Sequence, residues 1–174
     1  MRCLQSGDVQ ALGELFLRHE KSVHALCARM TGDAELADDL VQDTFLRALR
    51  YRNGFRREAA VGTWLYRIAR NLCHDHLTTE ARRARLRETM DRPRHAVTGG
   101  TAQDDHLRLL QCALDALPID KREVLILSRY HDLTHAQIAR VCDCSVAAVK
   151  VRAHRAMRDL KNEFQRLIRE EDEL

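Results

Sequence analysis

The sequence predicts an all-α protein of two small helical domains joined by a flexible linker, the second containing a helix-turn-helix. Three observations carry this. Apolar residues recur at steps of three and four from Ala34 to Leu77 and again from Leu107 onward, the period of helices with one buried face. Between those stretches, TTEARRARLRETMDRPRHAVTGGTAQ is polar and arginine-rich, carries Pro93 and Gly99-Gly100, and loses its apolar stripe after Leu86. Near the end a short helical pattern, a tight turn and a long basic helix follow one another. The expected boundaries are a first domain over 1–80, a linker over 81–103 and a second domain over 104–174.

The first helix is predicted after a short lead. Asp8 is a plausible N-cap, and Leu12, Leu15, Phe16, Val23, Leu26 and Cys27 make a stripe ending near Met30. Thr31-Gly32 terminates it and Asp33 can cap the next helix. That helix, AELADDLVQDTFLRALR, buries Leu36, Leu40, Phe45 and Leu49. Its opposite face carries Asp38, Asp39, Gln42 and Asp43 and, out of place among them, Leu46. Three carboxylates on one face repel a phosphate backbone, so this is a poor nucleic-acid surface. It suits a basic protein surface, with Leu46 as the apolar anchor of a small interface.

Tyr51 to Ala60 is turn-rich and basic, with Asn53-Gly54 as the turn signal and Arg52, Arg56 and Arg57 beside it. The following helix, VGTWLYRIARNLCHDHL, turns Trp64, Leu65, Ile68 and Leu72 inward. Thr63, Arg67, Arg70, Asn71 and His74 fall on another face. Arginines can follow the phosphates of a single strand, while the Asn71 amide can both donate to and accept from a base edge. Trp64 and Tyr66 are the aromatics available for stacking; Trp64 belongs to the apolar stripe, while for Tyr66 core and stacking roles both stand.

In the second domain, Leu107, Leu110, Ala113, Leu114 and Leu117 form a stripe that stops at Pro118, and Val124, Leu125 and Leu127 continue the core. Thr134 caps HAQIARV, CDCS makes the turn, and VAAVKVRAHRAMRDLKNEF is the second helix of the motif. Val149, Ala153 and Ala156 face inward, and Lys150, Arg152, Arg155 and Arg158 supply a positive stripe for duplex DNA. The small Ala147 and Ala148 near its start let a phosphate backbone approach closely.

DLVQDTFLRA followed by TWLYRIARN resembles the promoter-melting domain of the extracytoplasmic-function sigma factors of bacterial RNA polymerase. ALPIDKREVLILSRYHDLTHAQIARVCDCSVAAVKVRAHRAMRDL resembles that family's domain for the upstream promoter element. The resemblance implies that the acidic helix docks on clamp helices of the polymerase's largest subunit through Asp38, Asp39, Gln42, Asp43 and Leu46. It implies that melted non-template DNA is captured by Arg56 and Arg57 of the loop with Thr63, Tyr66, Arg67, Arg70, Asn71 and His74. The upstream element falls to Ser145, Ala147, Ala148 and Lys150, with Val151, Arg152 and Arg155. The linker would thread polymerase channels near nascent RNA. Further partners implied are core RNA polymerase, promoter DNA and an anti-sigma factor, often membrane-anchored, that holds the factor inactive. The chain departs from the family pattern at Ala59 and Val61, where serine and phenylalanine are usual, and at Val151, where serine is common.

Composition narrows the alternatives. With 174 residues, 45% hydrophobic and 32% charged, the chain is expected to be globular, and its net charge of +3 hides an uneven distribution. Six cysteines, mostly within helical apolar patterns, suggest no disulfide framework and a reduced, cytoplasmic chain. No signal peptide or membrane span is visible. His131, His135, Cys142 and Cys144 have ligand identities, but their spacing matches no structural-zinc pattern, so no metal and no cofactor is expected. His74-Asp75 and His131-Asp132 are dipeptides found in metal-dependent phosphohydrolases. No phosphate loop, HExxH or nucleophile elbow accompanies them, and no enzyme activity is expected. The remaining rival is a helix-turn-helix regulator that binds duplex DNA without polymerase; it leaves TWLYRIARN and the acidic helix without a purpose.

Overall fold

The computed structural model describes residues 1–6, 8, 10–55, 60–86 and 102–172. Among them the chain forms α1 (Arg2–Gln5), α2 (Gln10–Thr31), α3 (Ala34–Arg50), a 3-10 turn (Arg52–Gly54), α4 (Val61–Leu86), α5 (Ala102–Asp115), α6 (Ile119–Arg129), α7 (His135–Cys142) and α8 (Val146–Asp172), with no strand. The all-α class and the helix-turn-helix stand as expected. Helix α4 continues to Leu86, six residues into the expected linker; residues 87–101 lie outside the described residues, as does the prediction made for them.

Local chemistry sets the ends of these helices. Gly32, at φ 73°, takes the left-handed conformation that closes α2, and its N–H donates to the Ala28 carbonyl at 2.8 Å. Asp33 then caps α3, its Oδ1 accepting from the Leu36 N–H at 3.0 Å. At α7, Thr134 and Gln137 cap each other's backbone reciprocally, which lets a helix of eight residues start sharply.

α2, α3 and α4 pack around Val23, Leu26, Cys27, Met30, Leu40, Phe45, Leu65 and Cys73, with the Phe16 and Phe45 rings edge-on at 4.9 Å. Trp64 is only half-buried and lies 5.3 Å from Phe55. All six cysteines are free thiols.

Most of the second half's core is continuous with that of the first half, and here the structure goes beyond the tethered pair that the sequence suggests. Val124, Ile126, Leu127, Ile138, Val141 and Val149 belong to the same buried cluster as the first half's core. Leu125 points the other way, into a smaller cluster with Leu114, Leu117 and Ala156. The cause is the run Val124-Leu125-Ile126-Leu127. Four consecutive apolar residues span most of a helix's circumference, so α6 has to be covered on two sides. α8, with Leu114 of α5, covers one side and α2 of the first half packs against the other. Between the halves, Arg122 Nη1 donates to the Met30 carbonyl at 2.7 Å, and the Arg29 guanidinium lies 4.2 Å over the Tyr130 ring.

Candidate polymerase and nucleic-acid interfaces

The acidic face of α3 is open. Asp38, Asp39, Gln42 and Asp43 are exposed and Leu46 is 62% exposed, although apolar residues of that size usually find cover. Asp38 lies 3.3 Å from His24 Nε2 on α2. Leu17, 80% exposed, extends the apolar part of this surface. α2 and α3 form a hairpin across Gly32-Asp33, with Phe16 against Phe45. In antiparallel neighbours one residue step turns both side chains to the same outer side, so Leu17 and Leu46 share a face. Sequence reasoning passed over Leu17. Its signal was a leucine one step beyond the buried stripe.

The reading face assigned to α4 is divided. Thr63 is buried at 5% exposure, so it is corrected from a DNA-contacting to a packing residue. Asn71 is exposed, its Oδ1 accepting from Arg70 Nη1 at 3.1 Å, and His74 sits half-buried one turn further on. Arg56, Arg57 and Ala59 lie outside the described residues. Tyr66, Arg67 and Arg70 face the chain's own second half. The Tyr66 hydroxyl is 3.1 Å from His131 Nδ1, with ring centroids 4.8 Å apart. Arg67 reaches Asp143 at 3.6 Å. Arg70 forms a two-pronged pair with Glu123, Nε donating to Oε2 at 2.6 Å and Nη2 to Oε1 at 3.0 Å. Glu123 is fully buried. Burial opposes charge on Arg70, but the hydrogen bonds and charge of Glu123 outweigh it and raise its pKa.

Glu123 and Asp143 are the residues that sequence reasoning missed. Glu123 falls one helical turn from both Ile119 and Leu127, on the buried side of α6, and a carboxylate placed there needs a cation. Asp143 ends α7 in the left-handed conformation at φ 53°, where glycine or asparagine is the usual choice.

On α8, Ala147, Lys150, Val151 and Arg155 are exposed along one arc. Three other expected contacts have different surroundings. Ser145 uses its hydroxyl as the helix cap, accepting from the Ala148 N–H at 3.1 Å. Ala148 is half-buried, and Arg152 is half-buried with its guanidinium 3.7 Å from Asp120. Two residues from Lys150, Arg152 lies on nearly the opposite side of α8, beside Asp120, so the exposed basic stripe is narrower than expected. Among the described residues, no group of three or more His, Cys, Asp or Glu could hold a metal ion, and no helix is long and apolar enough to cross a membrane.

Family models for Sigma-70 region 2 and for Sigma-70, region 4 match residues 15–83 and 107–160. The chain is 31% identical to the ECF RNA polymerase sigma-E factor of Haemophilus influenzae, over 95% of this chain and 93% of that protein. The chain is an extracytoplasmic-function sigma factor. It is also 31% identical to the RNA polymerase sigma-H factor of Pseudomonas aeruginosa, over 96% of this chain and 93% of that one. Among solved structures, CnrH in complex with the cytosolic domain of CnrY is 28% identical with a TM-score of 0.68, covering 91% of this chain and 90% of CnrH. The sigma factor RpoE of Bartonella quintana, in complex with the anti-sigma factor NepR, shares the fold at a TM-score of 0.72 and 23% identity, covering 90% of this chain and 98% of that one.

In this sigma factor the region 2 match spans α2 to α4 and the region 4 match spans α5 to α8, so the contacts of Tyr66, Arg67 and Arg70 join one region to the other. Burial and the positive charge of Arg29, opposed by the negative charge of Asp132, push His131 in that junction from 6.5 down to about 4. Its Nε2 is buried without a hydrogen-bond partner among the described residues. The unfolded chain therefore binds this proton more readily than the folded one. Stability contributed by neutral His131 should be complete above pH 6.5 and fall progressively as the pH drops towards 4. Chemical denaturation across that range should show a shallower decline for His131→Gln. Identical slopes in the two proteins would refute the assignment.

Proposed function

We propose that this sigma factor docks on core polymerase through the α3 face, captures melted non-template DNA with α4, and reads the upstream promoter element with the exposed arc of α8. The observation that carries the reading is the separation of chemistries. One helix offers carboxylates around an exposed leucine, and another offers Lys150 and Arg155 beside small and apolar residues. The first favours a protein surface and repels DNA; the second favours phosphate, with affinity falling as salt rises. The chain itself carries no catalytic chemistry; phosphodiester formation belongs to the polymerase. Its place is the cytoplasm. We extend the reading to an anti-sigma partner that contributes a cytosolic domain, on the precedent of CnrH with the cytosolic domain of CnrY; such a partner can be membrane-anchored.

Run-off transcription with core polymerase, on DNA upstream of the chain's own gene, tests the whole reading. A defined transcript that requires the chain is expected, and duplex binding without any transcript would leave only a helix-turn-helix regulator. Within that assay, Asn71→Ala removes one amide from an exposed position. Loss of a base-edge contact of about 1–3 kcal/mol should lower initiation roughly tenfold to hundredfold while polymerase binding is unchanged. Equal loss of both would contradict the role given to Asn71.

A further inference from the structure

The short segment before α2 is tied to the loop that leads into α4. α1 has four residues, too few for a helix to hold itself in water. It stays in place because Leu4 is 1% exposed and α1 packs against α2 and the 3-10 turn. Next to Leu4, the half-buried Gln5 spans that turn. Its Nε2 donates to the Arg52 carbonyl at 2.9 Å and to the Phe55 carbonyl at 3.2 Å, so one amide grips both ends of residues 52–55. The neighbouring helices hold the same turn. Arg52 Nη1 donates back to the Leu49 carbonyl of α3 at 2.9 Å, and the buried Phe55 ring has its centroid 5.3 Å from that of Trp64 on α4.

We infer that Gln5 is a positioning residue for strand capture: it presets the turn that Arg56 and Arg57 follow in the chain, and so sets how well the melted strand is held. Gln5 acts through the turn and not by touching DNA. A loop free to move loses conformational entropy when a strand fixes it, whereas one fixed in advance does not. Two side-chain hydrogen bonds to backbone carbonyls, each modest, are of a size to shift that balance about tenfold. The residues assigned to polymerase on α3 and to duplex DNA on α8 lie outside this arrangement. The inference rests on the reading that the loop and α4 hold the melted strand.

Gln5→Met keeps the length of the side chain and removes both donors. The test is run-off transcription by core polymerase on DNA upstream of the chain's own gene, with the initiation rate followed as the full-length chain is titrated in. The variant should reach a plateau about tenfold lower, with the half-saturating concentration changed by less than about twofold. That split separates positioning from lost folding, because a variant that is merely less folded needs more protein to reach the same plateau. An equal plateau, or a shift of the midpoint alone, overturns the inference.

A second measurement needs no variant. The Gly54 N–H donates to the Tyr51 carbonyl at 2.9 Å and the Phe55 N–H to the Arg52 carbonyl at 3.3 Å. A turn set before the strand arrives should show both amides already protected in the free, unaltered chain, exchanging with solvent hydrogen at least about tenfold more slowly than in an unstructured peptide. Exchange at the unstructured rate at either amide overturns the inference. Transcription by the unaltered chain, with the same plateau for Gln5→Met, sinks the role of Gln5 and leaves the sigma reading intact. Absence of transcription by the unaltered chain sinks the reading and the inference with it.

Discussion

Asp39→Arg combined with Leu46→Ala is expected to weaken binding to core polymerase by about two to three orders of magnitude. Leu46 is 62% exposed, so its side chain has most of its apolar surface still to bury; covering it on docking contributes about 1.5–2 kcal/mol. Reversing a charge within a complementary acidic face costs about as much again. The sum of about 3–4 kcal/mol, at about 1.4 kcal/mol per decade, gives that loss. Both positions are on the surface and away from the core, so thermal melting of the isolated chain should be unchanged. Gel filtration with core polymerase, or titration of a labelled chain, reads the affinity. A double variant that still comigrates at the unaltered chain's concentration would remove α3 from the interface.

The second large effect concerns folding. Ile126→Ala should destabilise the protein by about 3–4 kcal/mol, the range for truncating a fully buried aliphatic side chain whose neighbours cannot collapse into the space. Ile126 is 0% exposed and belongs to the cluster that also holds Leu26, Met30 and Leu65. Trp64, the single tryptophan, lies in the first half, so its fluorescence reports on the half that does not carry the substitution. With one shared core, the urea midpoint read at Trp64 should fall together with the midpoint read by circular dichroism. A Trp64 transition that stays in place while helicity is lost early would show two cores that unfold separately.

Much of the fold was legible because helices announce themselves one at a time. The stripes of α2, α3 and α4, the caps at Asp33 and Thr134, and the αL glycine at Gly32 are all local signals, and each is present in the structure. The exposure of Asp39, Leu46, Asn71 and Lys150 was legible for the same reason, since the period of a helix says which side chains are left outside. What the sequence hid was pairing across long separations. Glu123 reads as one more charge on a helix until Arg70, far away in the chain, is seen to close on it. Thr63 shares a helical side with Arg67 and Arg70, yet it is buried while Arg67 is exposed. Arg152 looks like its basic neighbours, yet two residues from Lys150 it falls on the other side of α8, where Asp120 meets it. The apolar run at 124–127 was the one local hint that two halves would meet, because no single neighbour can cover a helix on every side.

That same run has a consequence for the molecule's life away from its partners. Parting the halves opens the seam of the shared cluster to which Val124, Ile126, Leu127 and Ile138 belong, and wets apolar side chains that water penalises and that other exposed chains will grip. A copy sprung apart in free solution is therefore adhesive and short-lived, prey to clumping and to proteases. Closed copies persist in the pool, and an unclasped one stays soluble only where another large surface shelters its seam.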